Sequence, residues 1–324
     1  MGRELESVQV VGLGQVCVDY VGRVPTYPVE DGKMELENLF TSCGGPAATA
    51  LVSLTRLGIA TSFLGSISDD TFGVRIADTL QKEGVNISFL KITPSHSSQF
   101  AFIAVTKGDG KRTIFWNRSS APDLTPKEMS LDRFPGARIL HVDGLMLDAG
   151  KEAADQAKKR GMIVVMDAGT LRQGTLDLVS RVDILIASEP FGDALIGEQA
   201  PRQKVLQRMR EIGPRQAVIT LGAKGSIGLD QSGMVRQDAF PVVSRDTTGA
   251  GDVYHGAYIY GLLQGWNMAK CMAFASAAAA LKCTYGRGWE GIPDIQAIDG
   301  LMKGQNIDST GSESRFIDKL TDRT

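Results

Sequence analysis

The chain has 324 residues, of which 43% are hydrophobic and 22% are charged, and its formal net charge is -2 at pH 7. Such a chain can bury a full hydrophobic core, and its near-neutral charge argues against a nucleic-acid partner or a membrane-surface protein. Its four cysteines form no Cys-x-x-Cys pair and it has three histidines, which argues against a zinc site. The N-terminal residues lack the apolar core of a signal peptide, and no stretch reaches the ~18 apolar residues of a membrane span. We therefore expect a cytoplasmic protein with reduced thiols.

The N-terminal part of the chain predicts one strand and two β-rich blocks. Residues 9–18 form the strand candidate, which contains Gly12-Leu13-Gly14. A dinucleotide-binding fold is excluded because Cys17 stands where the Gly-x-Gly-x-x-Gly fingerprint needs its third glycine. The irregular block from residue 19 to 42 and the alternating block from 97 to 118 predict edge strands away from the main sheet. Gly108-Asp109-Gly110 predicts a hairpin turn in the second block, and the two blocks together would form one small sheet.

The remaining chain alternates between helical and strand patterns. Helices are predicted at residues 46–57, 70–83, 149–160 and 269–282, with Gly58 and Gly84 ending the first two. Short apolar runs at residues 138–142, 163–166, 184–187 and 218–221 are typical of parallel strands covered on both faces. This alternation predicts a single α/β domain over residues 1–324, with a doubly wound, mostly parallel sheet and right-handed crossovers. Binding sites in such sheets lie beyond the carboxyl ends of the strands.

The segment from residue 244 to 256 carries the strongest chemical signal. Gly249-Ala250-Gly251 precedes an apolar helix predicted to begin at Asp252. Small residues running into a helix leave unpaired N–H groups at the positive end of its dipole, which favours an anion such as a phosphate. A carboxylate beside such a cradle suits removing a proton from an attacking hydroxyl. The alternative is an ordinary helix start in which Asp252 matches the helix dipole, and the residues of this loop alone leave both interpretations open.

Two motifs of this sequence resemble those of a known family. Asp246-Thr247-Thr248-Gly249-Ala250-Gly251-Asp252 resembles the C-terminal signature of the PfkB/ribokinase family of sugar kinases. Gly44-Gly45-Pro46-Ala47-Ala48-Thr49-Ala50 resembles its N-terminal double-glycine signature, about 200 residues earlier and in the order that the family uses. The similarity implies a ribokinase-like fold with a small β-sheet lid formed by residues of about 19–42 and 97–118. It also implies a sugar substrate, ATP, Mg²⁺ carried by the ATP phosphates, and a homodimer formed through the lid.

The resemblance assigns the catalytic and sugar-binding residues. An aspartate at the position of Asp252 acts as the general base in the family, with Gly249, Ala250 and Gly251 offering backbone N–H groups to the transferred phosphoryl group. The candidate sugar contacts are Asp19, Lys33, Gly44, Gly45, Thr49, Gln99, Asn117, Arg118 and Asp143. Thr49 stands where such families often carry asparagine, and the alternative for Asp19 is a loop-capping acid.

The resemblance also assigns a nucleotide site and a cation loop. The nucleotide candidates are Ser188, Glu189, Thr220, Gly222, Lys224, Gly225 and Ser276, for which a simple strand-to-strand turn and helix packing are the alternatives. Ser188-Glu189-Pro190-Phe191 replaces the usual Asn-x-x-Glu, and Glu189 or Asp193 is a candidate for holding Mg²⁺ through water. Asp246, Thr248, Cys283, Gly286 and Gly288 resemble a loop that binds a monovalent cation such as K⁺. We expect His255 to be a packed helix residue rather than a second base.

The substrate-side residues resemble the sulfofructose-kinase branch of the family. Lys33 matches a basic residue that this branch directs at the substrate anion, Asn117 is a second candidate, and Arg118 could replace a missing one. Leu145 stands where the branch carries an arginine, which removes a bidentate anion clamp. Sulfofructose is therefore one candidate beside an unmodified or phosphorylated ketose. A nucleoside kinase of the same fold and a non-catalytic sugar or nucleotide sensor remain alternatives for the function.

Overall fold

The computed structural model of the chain describes residues 5–107 and 111–304. Its main sheet has eight strands in the spatial order β14-β13-β12-β11-β10-β9-β1-β4. They are β1 (Val10–Leu13), β4 (Thr61–Leu64), β9 (Ile139–Val142), β10 (Ile163–Ala168), β11 (Ile184–Ser188), β12 (Gln216–Thr220), β13 (Ser226–Asp230) and β14 (Gly233–Gln237). The six strands from β4 to β12 in this order run parallel, β13 pairs antiparallel with β12, and β14 pairs antiparallel with β13. This confirms the predicted mostly parallel α/β sheet.

The order of the strands places a crevice beside β1. This strand pairs with β4 on one side, where Val10 lies opposite Thr61, and with β9 on the other, where Val10 lies opposite Ile139. The next two strands that the chain adds to the main sheet, β4 and then β9, therefore lie on opposite sides of β1. In open α/β sheets a crevice forms at such a reversal, beyond the carboxyl ends of the strands. The residues of the cleft described below lie at this end of the sheet.

Helices cover both faces of the sheet. They are α1 (Pro46–Arg56), α2 (Thr71–Lys82), α3 (Leu147–Lys159), α4 (Thr175–Val179), α5 (Glu189–Ile196), α6 (Arg202–Ile212), α7 (Ala250–Leu263), α8 (Met268–Tyr285) and α9 (Ile295–Met302). Side chains alternate between the two cores, so that Val10 belongs to the core under α1, α7 and α8 while Val11 belongs to the core under α3, α5 and α6. Strands buried on both faces need continuous apolar runs, which is the pattern that predicted them.

The helices α1, α7 and α8 are packed especially closely. A Cβ on Gly256 of α7 would lie 2.6 Å from the carbonyl oxygen of Ala50 in α1, so only glycine fits there. The alanines Ala277 and Ala278 of α8 are fully buried, which is the close packing expected for the alanine run. Among the described residues, no helix is long and apolar enough to cross a membrane.

A second sheet of four strands, the small sheet, lies beside the main one. It contains β2 (Cys17–Val24), β3 (Asn38–Gly44), β7 (Phe100–Thr106) and β8 (Arg112–Asn117) in the order β3-β2-β7-β8. The chain between β7 and β8 includes the predicted turn at residues 108–110, which lies outside the described residues. A separate parallel pair joins β5 (Ser66–Ser68) to β6 (Lys91–Thr93).

The structure corrects two predictions about these strands. Residues 9–18 form parts of two strands in different sheets, because the chain leaves the main sheet after Leu13 and Asp143 binds the backbone N–H of Gln15 at 2.7 Å. Asp19, which directly follows the strand predicted at residues 9–18, therefore lies within β2. The prediction of edge strands is correct for β3 and β8 but wrong for β2 and β7, which are paired on both sides.

The fold predicts a large stability loss when α1 loses a core side chain. Leu51 is fully buried, and L51A leaves a cavity that should lower the free energy of unfolding by about 2–5 kcal/mol. Val74 on α2 is 55% exposed, and V74A, the matched control, should change it by less than about 0.5 kcal/mol. Urea unfolding followed by circular dichroism measures both. Equal losses in the two variants would contradict the described packing of α1.

Candidate active site

A cleft of about 220 Å³ lies between the small sheet and the start of α7. Its walls come from β2, β7 and β8, from the turn that leads into α1, and from the turn that leads into α7. The polar and charged side chains that line it are Gln15, Asp19, Thr49, Gln99, Arg112, Thr248, Asp252 and Lys282. These residues are up to 267 positions apart in the sequence, from Gln15 to Lys282, and only the fold brings them together.

The turn before α7 has the geometry of an anion site. Gly249 precedes the helix in the left-handed conformation, with φ of 74°, and the N–H of Thr248 donates to Asp246 Oδ1 at 2.8 Å. The N–H of Ala250 donates to the carbonyl of Thr247 at 3.2 Å, so this group is already engaged. Within the described part of the chain, the N–H groups of Gly249 and Gly251 have no protein acceptor. Free N–H groups at a helix N-terminus attract negative charge.

Asp252 lies in the first turn of α7 and lines the same cleft. Burial raises the pKa of its carboxyl to about 6, and the neighbouring Asp167 carboxylate raises the pKa further, while His255, Arg112 and Lys282 oppose the rise. A Cβ placed on Gly249 would lie 3.9 Å from Asp252 Oδ2, so the carboxylate stands next to the anion site. A carboxylate whose pKa lies closer to neutrality is a better acceptor for a hydroxyl proton.

Asp19 is a second acid in the cleft, and it is buried. Its Oδ1 accepts a hydrogen bond from the thiol of Cys17 at 3.1 Å. Burial, together with the carboxylates of Asp252 and Asp246, raises its pKa to about 6. Any Cβ on Gly44 would collide with Asp19 Oδ2. Gly44, predicted as a sugar contact, is therefore also needed to make room for the Asp19 side chain.

Two of the predicted sugar contacts, Thr49 and Asp143, form hydrogen bonds with other residues of the protein. The hydroxyl of Thr49 accepts a hydrogen bond from Trp289 Nε1 at 2.8 Å, and both residues line the cleft. Asp143 accepts the N–H groups of Gln15 at 2.7 Å and of Leu145 at 3.0 Å. Burial raises the pKa of Asp143 to about 7. It is Leu145, and not Asp143, that lines the cleft.

Comparison with known proteins identifies the family. A family model described as pfkB family carbohydrate kinase matches residues 8–294. The chain belongs to this family. It is 26% identical to 5-dehydro-2-deoxygluconokinase of Clostridium perfringens, over 93% of this chain and 94% of the relative, and 28% identical to ribokinase of Haemophilus influenzae, over 88% and 95%. The solved ribokinase of Arabidopsis thaliana in complex with ribose and ATP superposes with a TM-score of 0.79, covers 92% of this chain and 99% of its own, and is 23% identical. The predictions of a ribokinase-like fold and of an ATP-dependent carbohydrate kinase are confirmed.

The structure separates the three residues expected to bind a substrate anion in this kinase. Lys33 is exposed on the connection between β2 and β3, and Asn117 is exposed at the end of β8. Neither residue lines the cleft. Arg118 lines a neighbouring cavity of about 190 Å³, which shares Gln15 and Gln99 with the cleft. The guanidinium of Arg118 also lies 5.4 Å from the ring centre of Trp116.

All the nucleotide candidates except Ser276 lie at the carboxyl ends of β11 and β12 or directly after them. Ser188 and Thr220 end these strands as direct neighbours, and the Ser188 hydroxyl accepts the N–H of Phe191 at 3.3 Å to cap α5. Residues Gly222–Lys224 form a short 3-10 turn into the antiparallel β13, with Gly225 directly after it. Ser276 is buried in α8. The turn and the helix packing named as alternatives are therefore both present in the structure.

The two carboxylates considered for Mg²⁺ are bound by an arginine that the sequence did not reveal as part of the site. Arg202 forms ion pairs with Glu189, at 2.7 Å, and with Asp193. Throughout residues 5–107 and 111–304 there is no group of three or more His, Cys, Asp or Glu side chains arranged to hold a metal ion. Glu189 and Asp193 thus have a protein partner of opposite charge.

The predicted cation loop is drawn together around Asp246. The buried Asp246 lies beside Gly286, since a Cβ on that glycine would be 3.4 Å from Asp246 Cβ. The carbonyl of Cys283 accepts the N–H groups of Arg245 at 2.8 Å and of Asp246 at 3.3 Å. Gly286 and Gly288 have positive φ angles of 65° and 58°. Within the described chain the hydroxyl oxygen of Thr248 is buried and has no hydrogen-bond partner.

Several functional neighbours were missed because their partners are distant in sequence. Arg112 of β8 donates to the carbonyl of Thr247 at 3.1 Å and to its hydroxyl at 2.8 Å, joining the small sheet to the turn before α7. Lys282 is buried beneath that turn. A charged residue inside the alanine-rich stretch of α8 was the one available signal for it. His255 is buried in α7, with Nδ1 2.7 Å from the carbonyl of Gly251, in agreement with a packed helix residue.

The hydrogen bond between Trp289 and Thr49 should contribute measurably to stability. W289F leaves the Thr49 hydroxyl without its buried donor, and we expect the free energy of unfolding to fall by about 1–3 kcal/mol. W116F is the matched control, because Trp116 is 53% exposed and its loss should cost less than about 0.5 kcal/mol. Urea unfolding of both variants measures the difference. A W289F protein as stable as the wild type would show that this bond contributes nothing.

Proposed function

We propose that the chain phosphorylates a primary hydroxyl of a small sugar by in-line transfer from ATP. One observation carries the proposal: Asp252 and Gly249 line the same cleft, and within the described chain the N–H groups of Gly249 and of the nearby Gly251 have no protein acceptor. Asp252 acts as the general base, and the start of α7 receives the phosphoryl group. Either feature alone would fit an ordinary helix start, but their placement together beside Asp19 matches what phosphoryl transfer requires.

The proposed transfer has a simple balance. The sugar hydroxyl gives its proton to Asp252 while its oxygen forms a bond to the γ-phosphorus. The bond from the γ-phosphorus to the bridging oxygen breaks, and its electron pair leaves with ADP. The N–H groups of Gly249 and Gly251 face the charge on the oxygens of the group in transfer. The carboxylate of Asp19 accepts hydrogen bonds from sugar hydroxyls and orients the acceptor.

The metal requirements follow from the donors that the chain offers. Mg²⁺ bound with ATP neutralises phosphate charge, and because Arg202 engages Glu189 and Asp193, the phosphates rather than these carboxylates would supply its ligands. A K⁺ ion would be held by the free Thr248 hydroxyl, by Asp246 and by backbone carbonyls near Cys283, Gly286 and Gly288. These residues fit such an ion because they combine a buried acid with an unpartnered hydroxyl oxygen.

The cleft favours a sugar that does not carry a strongly bound anionic group such as a sulfonate. Leu145 lines it at the position where the sulfofructose branch carries an arginine. Lys33 and Asn117 lie outside the lining, so a sulfonate would lack the expected clamp. Relatives named 5-dehydro-2-deoxygluconokinase, ribokinase and probable fructokinase support a pentose, a ketohexose or a related sugar acid. Arg118 in the neighbouring cavity is the candidate for a carboxylate on such a sugar.

The small sheet is proposed to act as a lid and as a dimer contact. Ile114 and Trp116 of β8 line the cleft, and so cover a bound sugar. Leu39 and Phe115 are more than half exposed on the two edge strands β3 and β8. A second copy of the chain would cover this apolar surface.

The D252N variant tests the base. We expect kcat for ADP formation to fall by about 10²–10⁴-fold on the best sugar of a panel of ribose, fructose, 5-dehydro-2-deoxygluconate, sulfofructose and nucleosides. D148N is the matched control, because Asp148 is also a first-turn acid but is 79% exposed on α3, and its kcat should not change. An unaltered kcat in D252N would support the ordinary helix start, and a wild type that binds sugar without releasing ADP would indicate a sensor.

The raised pKa of Asp252 gives a direction for the pH dependence. Above about 6 the carboxyl is ionised and accepts the hydroxyl proton. Below it the carboxyl is protonated, so kcat/KM should fall about tenfold per pH unit on the acid side. Asp19 titrates in the same range, and D19N should therefore have a lower kcat/KM but keep the acid limb. A wild-type profile that is flat from pH 7.5 to 5 would contradict Asp252 as the base.

A further inference from the structure

Lys282 is the most deeply buried charged side chain of the described chain. Only 1% of it is exposed, and its ammonium group has no hydrogen-bond partner in the described structure. It belongs to the last turn of α8. The five residues before it in the sequence, Ala277 to Leu281, all have small or apolar side chains. An unpaired buried ammonium is strongly unfavourable in a folded protein, so its presence calls for a functional explanation.

The side chain of Lys282 points at the anion site. It lines the cleft together with Asp252 and Gly249. Its Cε would be 3.9 Å from a Cβ placed on Gly249, so the ammonium lies beneath the turn whose N–H groups are free. The carboxylates of Asp246 and Asp252 both act on it electrostatically and oppose the lowering of its pKa by burial.

The other cation of this region already has partners. Arg112 is exposed and donates to the carbonyl and the hydroxyl of Thr247. Lys282 therefore differs from Arg112 in having its three N–H donors unused within the described structure. A compact ammonium with free donors is suited to a phosphate oxygen, which binds it as a point charge.

We propose that Lys282 is a further catalytic residue, whose ammonium group contacts an oxygen of the phosphoryl group during its transfer at the start of α7. The proposal rests on the kinase function proposed above. Lys282 keeps its proton throughout: the hydroxyl proton goes to Asp252, the new bond joins the sugar oxygen to the γ-phosphorus, and ADP leaves with the electron pair of the broken bond. The ammonium offsets the negative charge spread over the phosphoryl oxygens, beside the N–H groups of Gly249 and Gly251.

A catalytic role predicts that removing the charge of Lys282 lowers activity without lowering stability, whereas a structural role predicts a loss of stability. K282M keeps the length of the side chain and removes the charge. We expect kcat to fall by about 10²-fold or more, with a smaller change in KM for the sugar. The melting temperature should stay equal or rise, because a buried charge without a partner is removed.

Chemical rescue provides the second measurement. K282A should lose a similar factor in kcat, and methylammonium or ethylammonium chloride should restore part of it, whereas the same concentration of sodium chloride should not. K270M is the matched control, since Lys270 lies on the same helix but is exposed, with Nζ 4.1 Å from the ring centre of Trp266. Its kcat should equal that of the wild type.

The outcomes distinguish the two proposals. An active wild type with an equally active K282M would overturn the role of Lys282 alone. So would a K282M protein with a lowered melting temperature together with a K282A protein that no alkylammonium ion restores, because both results indicate a structural lysine. A wild type that releases no ADP with any sugar of the panel would instead overturn the proposed function, and with it the role of Lys282.

Discussion

Asp252 lies where two electrostatic influences oppose each other. The N-terminus of α7 favours a negative charge, while burial and the carboxylate of Asp167 disfavour it. A carboxylate held by the helix dipole alone would stay fully ionised and be a weak base. Desolvation moves its pKa toward neutrality and makes it a stronger proton acceptor. The proposed reaction depends on this balance, because in it the same helix end also receives the phosphoryl group.

The balance requires the two sheets to meet at one place. The chain leaves the main sheet after Leu13 and enters the small sheet at Cys17, so Asp19 is delivered to the cleft from the other sheet. Asp143 fixes this crossing through the N–H of Gln15. Gly44 leaves room for the Asp19 carboxylate, and Arg112 ties the far strand of the small sheet to the turn before α7. Each contact joins segments more than twenty residues apart, so the geometry of the site is a property of the tertiary fold.

This explains which features the sequence could predict. Local signals were sufficient for α1 and α2, because Pro46, Gly58 and Gly84 mark their ends, and continuous apolar runs were sufficient for the parallel strands. The anion site at Gly249 to Asp252 was also readable, since its residues are consecutive. The division of residues 9–18 between two strands could not be predicted. It involves Gly14, where a Cβ would collide with the side chain of Asp143, more than a hundred residues away. The partnership of Thr49 with Trp289 was hidden for the same reason, since these residues lie 240 positions apart. Arg202 is only 13 residues from Glu189, but nothing in the sequence pattern between them signals that their side chains meet. Lys33 and Asn117 were assigned by resemblance, and nothing local in the sequence fixes where the loop or the strand end that carries each of them lies.

The buried charges of this site limit how the rest of the molecule can be built. Asp19, Asp252 and Lys282 all lie in or beside the cleft, and each is less stable there than in water. The opposing charges of Lys282 and the acids reduce this cost only in part, since within the described chain the ammonium makes no hydrogen bond. The rest must be offset by packing elsewhere. The helices that present two of these charges, α7 and α8, are apolar around nearly their whole circumference and pack against each other. Helix α7 also lies against α1 at the closest distance that a glycine allows. Such close apolar packing opposes relaxation of the charged groups toward water, and it would preserve the preorganisation that the proposed phosphoryl transfer needs.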